Sequence, residues 1–131
     1  MAELIIPTTD TPGARAAQVD RFIDATLDAA SPATRSRFLS GLGWLVERST
    51  ALFGVAFTAA TPTQQIDLLT RLSADDAAAR EGAIGAEFFA AIKAMTIAGY
   101  YSSEIGLRQE LGDPGVLMLA RFEGCTHPEH Q

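Results

Sequence analysis

Residues 31–57 read SPATRSRFLSGLGWLVERSTALFGVAF, and this stretch decides the fold. Ser31 stands before Pro32, so a hydroxyl is available to accept from the free N–H groups of a helix start. Proline at the first helical position loses nothing, because its missing donor would be orphaned there anyway. Phe38, Leu42, Leu45, Val46, Leu52, Phe53 and Ala56 then recur at helical spacing and form one apolar face. The pattern predicts a long helix from Pro32 to about Phe57. Gly41 and Gly43 each weaken it by ~1 kcal/mol relative to alanine. A close helix crossing or a kink would explain them, and the crossing is the reading adopted. Trp44 is assigned to the core, with an indole N–H that needs a partner.

The same punctuation occurs at Thr11-Pro12 and Thr61-Pro62, and Gln64 extends the latter to a capping box. A first helix is expected over Gly13–Ala29, with Val19, Phe22, Ile23, Thr26 and Leu27 on one stripe. Asp20, Asp24 and Asp28 stack on another face, read as solvated rather than cation-binding. A third helix, Pro62–Leu72, should bury Ile66, Leu69 and Leu72, with Ala74–Ala79 either continuing it or forming a loop. A fourth, Ile84–Tyr101, places Ile84, Phe88, Ala91, Ile92, Met95 and Gly99 on one side. Phe89, Ile97 and Tyr100 widen that stripe, so this helix is expected at the centre.

Ser102 or Ser103 should cap a short fifth helix ending near Leu111, which Gly112-Asp113-Pro114-Gly115 stops. Val116–Phe122 is a short apolar run, read as extended coil because no partner strand exists for it, and Glu123–Gln131 is a polar tail. The expectation is a single-domain, all-α bundle of about five helices with extended N- and C-terminal tails. Its parts are an arm over 1–12, a helical core over 13–111 and a tail over 112–131.

Composition agrees with a folded domain. The chain has 131 residues, 47% hydrophobic and 20% charged, which excludes wholesale disorder. At this length folding buries roughly 68% of the surface the unfolded chain exposes, enough for a core without metal or disulfide staples. Ten basic against sixteen acidic residues give a net charge of −6, and the pI is near 4.7. That balance argues against nucleic acid or an anionic membrane as partner, since both demand a basic patch. There is no uninterrupted apolar run of eighteen residues. Met1–Pro7 is too short for a signal peptide and lacks a basic segment. The single cysteine, Cys125, cannot close an internal disulfide.

Chemistry-bearing residues are sparse. Cys125, His127, Glu129 and His130 are all zinc-ligand types within six residues. Structural zinc sites usually draw ligand pairs from two separate places, and no other Cys or His exists to complete one. Tyr100, Tyr101, Ser103 and Glu104 make a polar–aromatic patch where two helices meet, either a ligand site or a junction held by hydrogen bonds. No Gly-rich phosphate loop, haem motif or four-cysteine set is present. Nothing assembles a nucleophile, a base and an oxyanion site. No catalytic, cofactor-binding or metal-ligating residue is therefore assigned.

Three segments point further. Ile6-Pro7-Thr8-Thr9-Asp10-Thr11-Pro12-Gly13-Ala14, Gly99-Tyr100-Tyr101-Ser102-Ser103-Glu104-x-Gly106 and Gly124-Cys125-Thr126-His127-Pro128 together resemble the gluconate 2-dehydrogenase subunit 3 family, in the expected order. The resemblance implies a small non-catalytic subunit that stabilises, matures and helps export a large FAD-containing subunit of the glucose–methanol–choline oxidoreductase type. It implies a periplasmic complex, with a sugar, glucoside or sugar acid as substrate and a cytochrome c subunit as a possible third member. Relatives commonly carry a twin-arginine leader before the Ile-Pro motif, where only a few residues stand here. The resemblance places the partner contact at Pro7, Thr9, Asp10, Tyr100, Tyr101, Ser103, Glu104, Cys125, His127 and His130. Cys125 is expected to pair with, or pack against, the partner, and the large neighbour to hold both tails. The alternative is a stand-alone all-α module binding a metal at the tail cluster or a small ligand at the Tyr100–Glu104 junction.

Overall fold

The computed structural model describes residues 1–115, all of whose regular elements are helical. The expected apolar run and the tail motif with Cys125, His127 and His130 lie outside the described residues. In order come α1 (Ala2–Ile5), α2 (Val19–Ala29), α3 (Pro32–Phe53), a 3₁₀ turn (Phe57–Ala59), α4 (Pro62–Ser73), α5 (Ala77–Glu81), α6 (Ala83–Tyr101) and a π-helical turn (Ile105–Glu110).

Two of the three proline starts are as read. The Thr34 N–H donates to Ser31 Oγ at 3.2 Å. At Thr61 the capping box closes both ways: Gln64 N–H donates to Thr61 Oγ1, and Thr61 N–H donates to Gln64 Oε1. The third start fails. Thr11-Pro12 opens no helix, and α2 begins only at Val19, after Gln18 in a left-handed conformation at φ 53°. Tertiary packing overrides the cap here, because Ala14 and Val19 are both fully buried and the intervening turn must bring them together.

The α3 helix stops earlier than expected. Gly54 takes φ 76°, and its N–H closes on the Thr50 carbonyl at 2.9 Å. Ser49, fully buried, donates its hydroxyl to the Val55 carbonyl at 2.9 Å and fixes the exit of the chain. Of the two α3 glycines, only Gly41 marks a close crossing. A Cβ there would lie 2.5 Å from Phe88 Cβ, whereas Gly43 faces open space. Trp44 lies across Gly85 in the same seam, and the Phe38 and Phe88 rings pack with centroids 5.2 Å apart.

The α6 helix is the hub, touching every other α-helix and the π-helical turn. Its length and apolarity would suffice to cross a membrane; it carries Glu87 and Lys93 and is the central helix of the bundle. It buries Phe88, Phe89, Ile92, Thr96, Gly99 and Tyr100. Ile84 and Ile97, expected inside, are exposed, and so is Ala91. On α4 the buried residues are Leu68, Leu69 and Leu72, while Ile66 faces outward at 52% exposure. On α3, Leu42 and Val46 are likewise largely exposed.

The alanine-rich segment is a turn over residues 74–76, and from Ala77 it forms the separate helix α5. An ion pair ties α5 to α3: Arg48 Nε stands 2.6 Å from Glu81 Oε2, with the Glu81 side chain only 4% exposed.

The largest departure is at the start of the chain. The arm over 1–12 is not extended. It carries α1, and Met1, Ala2, Leu4, Ile5 and Ile6 pack against the core.

Candidate functional site: the arm and the helix junction

Two of the motifs singled out in the sequence, Ile6–Ala14 and Gly99–Gly106, meet at the C-terminal end of α6. The physical cause begins with Tyr100, which is 1% exposed. Its ring leaves the last turn of α6, and its hydroxyl donates to the Pro12 carbonyl at 2.9 Å. A phenol this deeply buried requires a partner, and a loop carbonyl left free by the absence of a helix at Pro12 supplies one. Beside it, the Thr11 hydroxyl donates to the Glu110 carboxylate in the π-helical turn.

The arm is folded on itself by one carboxylate. Glu3 Oε1 accepts from the Thr8 N–H at 3.1 Å and from the Thr8 hydroxyl at 2.9 Å, while Oε2 accepts from the Arg15 N–H at 2.7 Å. The Gly13 N–H donates to Thr8 Oγ1 at 3.0 Å, and the Ala14 N–H to the Ile6 carbonyl at 2.9 Å. Gly13 is a steric necessity, since a Cβ there would sit 2.5 Å from Thr8 N and 2.7 Å from the Pro7 carbonyl carbon, both backbone. The Arg15 N–H, followed by the Thr8 donors, holds the Glu3 carboxyl below its ordinary value. Asp10 is likewise lowered, chiefly by the Thr9 hydroxyl, which donates to it at 2.9 Å.

The second motif makes the junction. Ser103 Oγ donates to the Tyr100 carbonyl at 2.6 Å and accepts from the Gly106 N–H at 3.1 Å. Ser103 is thus the cap foreseen for the fifth helical element, but that element is π-helical: Leu111 N–H reaches back five residues to the Gly106 carbonyl at 3.0 Å. A Cβ at Gly106 would come within 2.1 Å of the Tyr100 carbonyl oxygen, so only glycine fits. Gly112 at φ 65° and Gly115 at φ 69° then end the turn.

The expected contact residues thus divide. Tyr100 and Ser103 are consumed inside the junction, so they position this face rather than present themselves on it. Pro7, Thr9, Asp10 and Glu104 are exposed, and Tyr101 is half-buried, set edge-on to Tyr100 at 5.2 Å and 88°. With the Tyr100 and Ser103 hydroxyls both engaged, the junction is held by hydrogen bonds. Glu3, Glu110 and Gly13 were not singled out by role; of these, only Gly13 stands in a quoted motif.

A family model described as gluconate 2-dehydrogenase subunit 3 matches residues 1–113. The chain belongs to the gluconate 2-dehydrogenase subunit 3 family. The match takes in both motifs that meet at the junction and ends before the Gly124–Pro128 segment. No curated protein and no solved structure matches the chain.

Away from the junction, a groove of about 1160 Å³ opens between α2, α3 and α6, lined among others by Leu27, Phe38, Ile84, Phe88, Ala91 and Met95. Among the described residues no group of three or more His, Cys, Asp and Glu is placed to hold a metal ion. Asp20, Asp24 and Asp28 are all exposed, and Asp28 faces Arg35 at 3.7 Å.

Proposed function

We propose that this member of the family is the non-catalytic small subunit of a dehydrogenase complex, and that its partner is a large FAD-containing subunit of the glucose–methanol–choline type. The small subunit stabilises that partner and assists its maturation and export. Its site of action is the periplasm, and the substrate is a sugar, glucoside or sugar acid bound by the large subunit.

The observation that carries this reading is how the motif residues among the described residues are spent. Tyr100, Ser103, Gly13 and Gly106 fix backbone against backbone, and no group among them is left poised for chemistry. A shaped surface with Pro7, Thr9, Asp10, Tyr101 and Glu104 outward is what a binding subunit presents. Half-buried tyrosine with exposed polar neighbours is a composition suited to interfaces.

Co-expression with the neighbouring reading frame, followed by affinity capture of this chain, tests it. The expected eluate holds a stoichiometric large subunit with flavin absorbance bands and oxidises sugars with an artificial electron acceptor. A colourless monomer with no partner would refute the subunit role and favour the stand-alone ligand-binding module.

A further inference from the structure

We propose that residues 1–11 are an acid-released strap: the Glu3 carboxylate latches it shut over an apolar seat on α4 and α6, and protonation of that carboxylate opens it. Three donors converge on Glu3, two of them backbone N–H groups at Thr8 and Arg15. With the Gly13 N–H to Thr8 Oγ1 and the Ala14 N–H to the Ile6 carbonyl, these bonds fold the strap back on itself. Leu4 and Ile5 of the strap face Ile66, Leu69, Thr70 and Phe89 across a depression of about 240 Å³. The exposed charge of α6 beside this seat is Lys93, and α4 brings no ionisable side chain to it. Arg15 and the amino group at Met1 are the other charges acting with Glu3. At the far end, Asp10 bonds to Thr9, and Glu110 accepts from Thr11.

The strap has a fixed root. Tyr100 holds the Pro12 carbonyl, and Gly13 and Ala14 are buried, so opening pivots about Pro12–Ala14 and leaves the helical body closed. The strap's own helix is a single turn of four residues with no side-chain cap. A segment this short is marginal alone and holds its shape only through its contacts. A neutral carboxyl accepts more weakly than a carboxylate and carries a hydroxyl that meets donors on both sides, so protonation removes charge-assisted bonds that nothing else replaces. The sign is fixed: the hydrogen bonds hold the Glu3 carboxyl below its ordinary value, so the latch is complete above the range in which Glu3 ionises and is lost as pH falls through it.

Nuclear Overhauser contacts on the full chain, measured from pH 7 down to pH 3, test this. Contacts of Leu4 and Ile5 with Leu69 and Phe89 should fade with a single-proton profile, while those between Phe38 and Phe88 in the body persist. In Glu3→Gln the strap contacts should be absent at pH 7, and the Thr8 and Arg15 amides should exchange about tenfold faster or more. Glu110→Gln should leave the strap shut at pH 7. Strap contacts that persist to pH 3, or that vanish only together with those of the body, would overturn the proposal. So would a folded Glu3→Gln chain with the strap closed. If that variant does not fold, the wild-type titration decides alone.

Discussion

The α3–α6 seam and the arm–junction knot are held together by different physics. In the seam, Phe38, Leu45, Phe88 and Ile92 bury apolar surface at helical spacing, and Gly41 lets two helices approach until Phe88 rests on bare backbone. Its stability scales with area and shape. In the knot, residues 3, 8, 12, 13, 15, 100, 103 and 106 exchange hydrogen bonds, mostly with backbone, and two glycines exist because no side chain fits. Its stability depends on each donor finding one acceptor. The seam therefore tolerates substitutions of similar volume, whereas the knot tolerates almost none at its glycines but yields little energy per bond.

Phe88→Ala should give the largest effect, destabilising by about 4 kcal/mol in chemical denaturation, because it empties the centre of the seam. Gly41→Ala should cost about 2 kcal/mol by overpacking. The two changes should be less damaging together than their sum, since alanine at 88 vacates the space that a Cβ at 41 needs. Strict additivity would mean that Gly41 is not there for the crossing.

Arg48→Ala should destabilise by about 2 kcal/mol, because it strands a nearly buried Glu81 without its partner; partial exposure of Arg48 keeps the loss below that of a fully buried pair. Tyr100→Phe sharpens the contrast at the small end. It removes the bond to Pro12 for about 1 kcal/mol, and hydrogen exchange should accelerate in residues 3–15 while α3 and α4 keep their protection. A uniform loss of protection would erase the distinction between the two regions.

The difference also explains what the sequence made legible. Apolar periodicity located α3, α4 and α6, and the hydroxyl–proline starts at Ser31 and Thr61 were read correctly because capping is a local event within four residues. The identical signal at Thr11 misled. Pro12 uses its carbonyl for Tyr100, 88 residues away, and no local rule anticipates that. Ile66, Ile84 and Ile97 were assigned inward because periodicity gives the direction of a stripe but not its width, and α6 carries apolar residues well beyond its buried face. The arm looked unattached because its apolar contacts with the core and its hydrogen bonds through Glu3 and Thr11 are long-range pairings that no local pattern signals. The motif residues were visible in the sequence, yet their division into joint-makers (Tyr100, Ser103, Gly13, Gly106) and outward-facing residues (Thr9, Asp10, Glu104) required the fold.

The most direct test of the central claim is hydrogen exchange of this chain, free and after co-purification with the large subunit proposed above. Protection gained on assembly should concentrate in residues 7–12 and 101–111, with the buried seam of α3 and α6 unchanged. Protection confined to the outer face of α3 or to α4, with the motif face exchanging as in the free chain, would contradict the assignment of that face as the subunit contact.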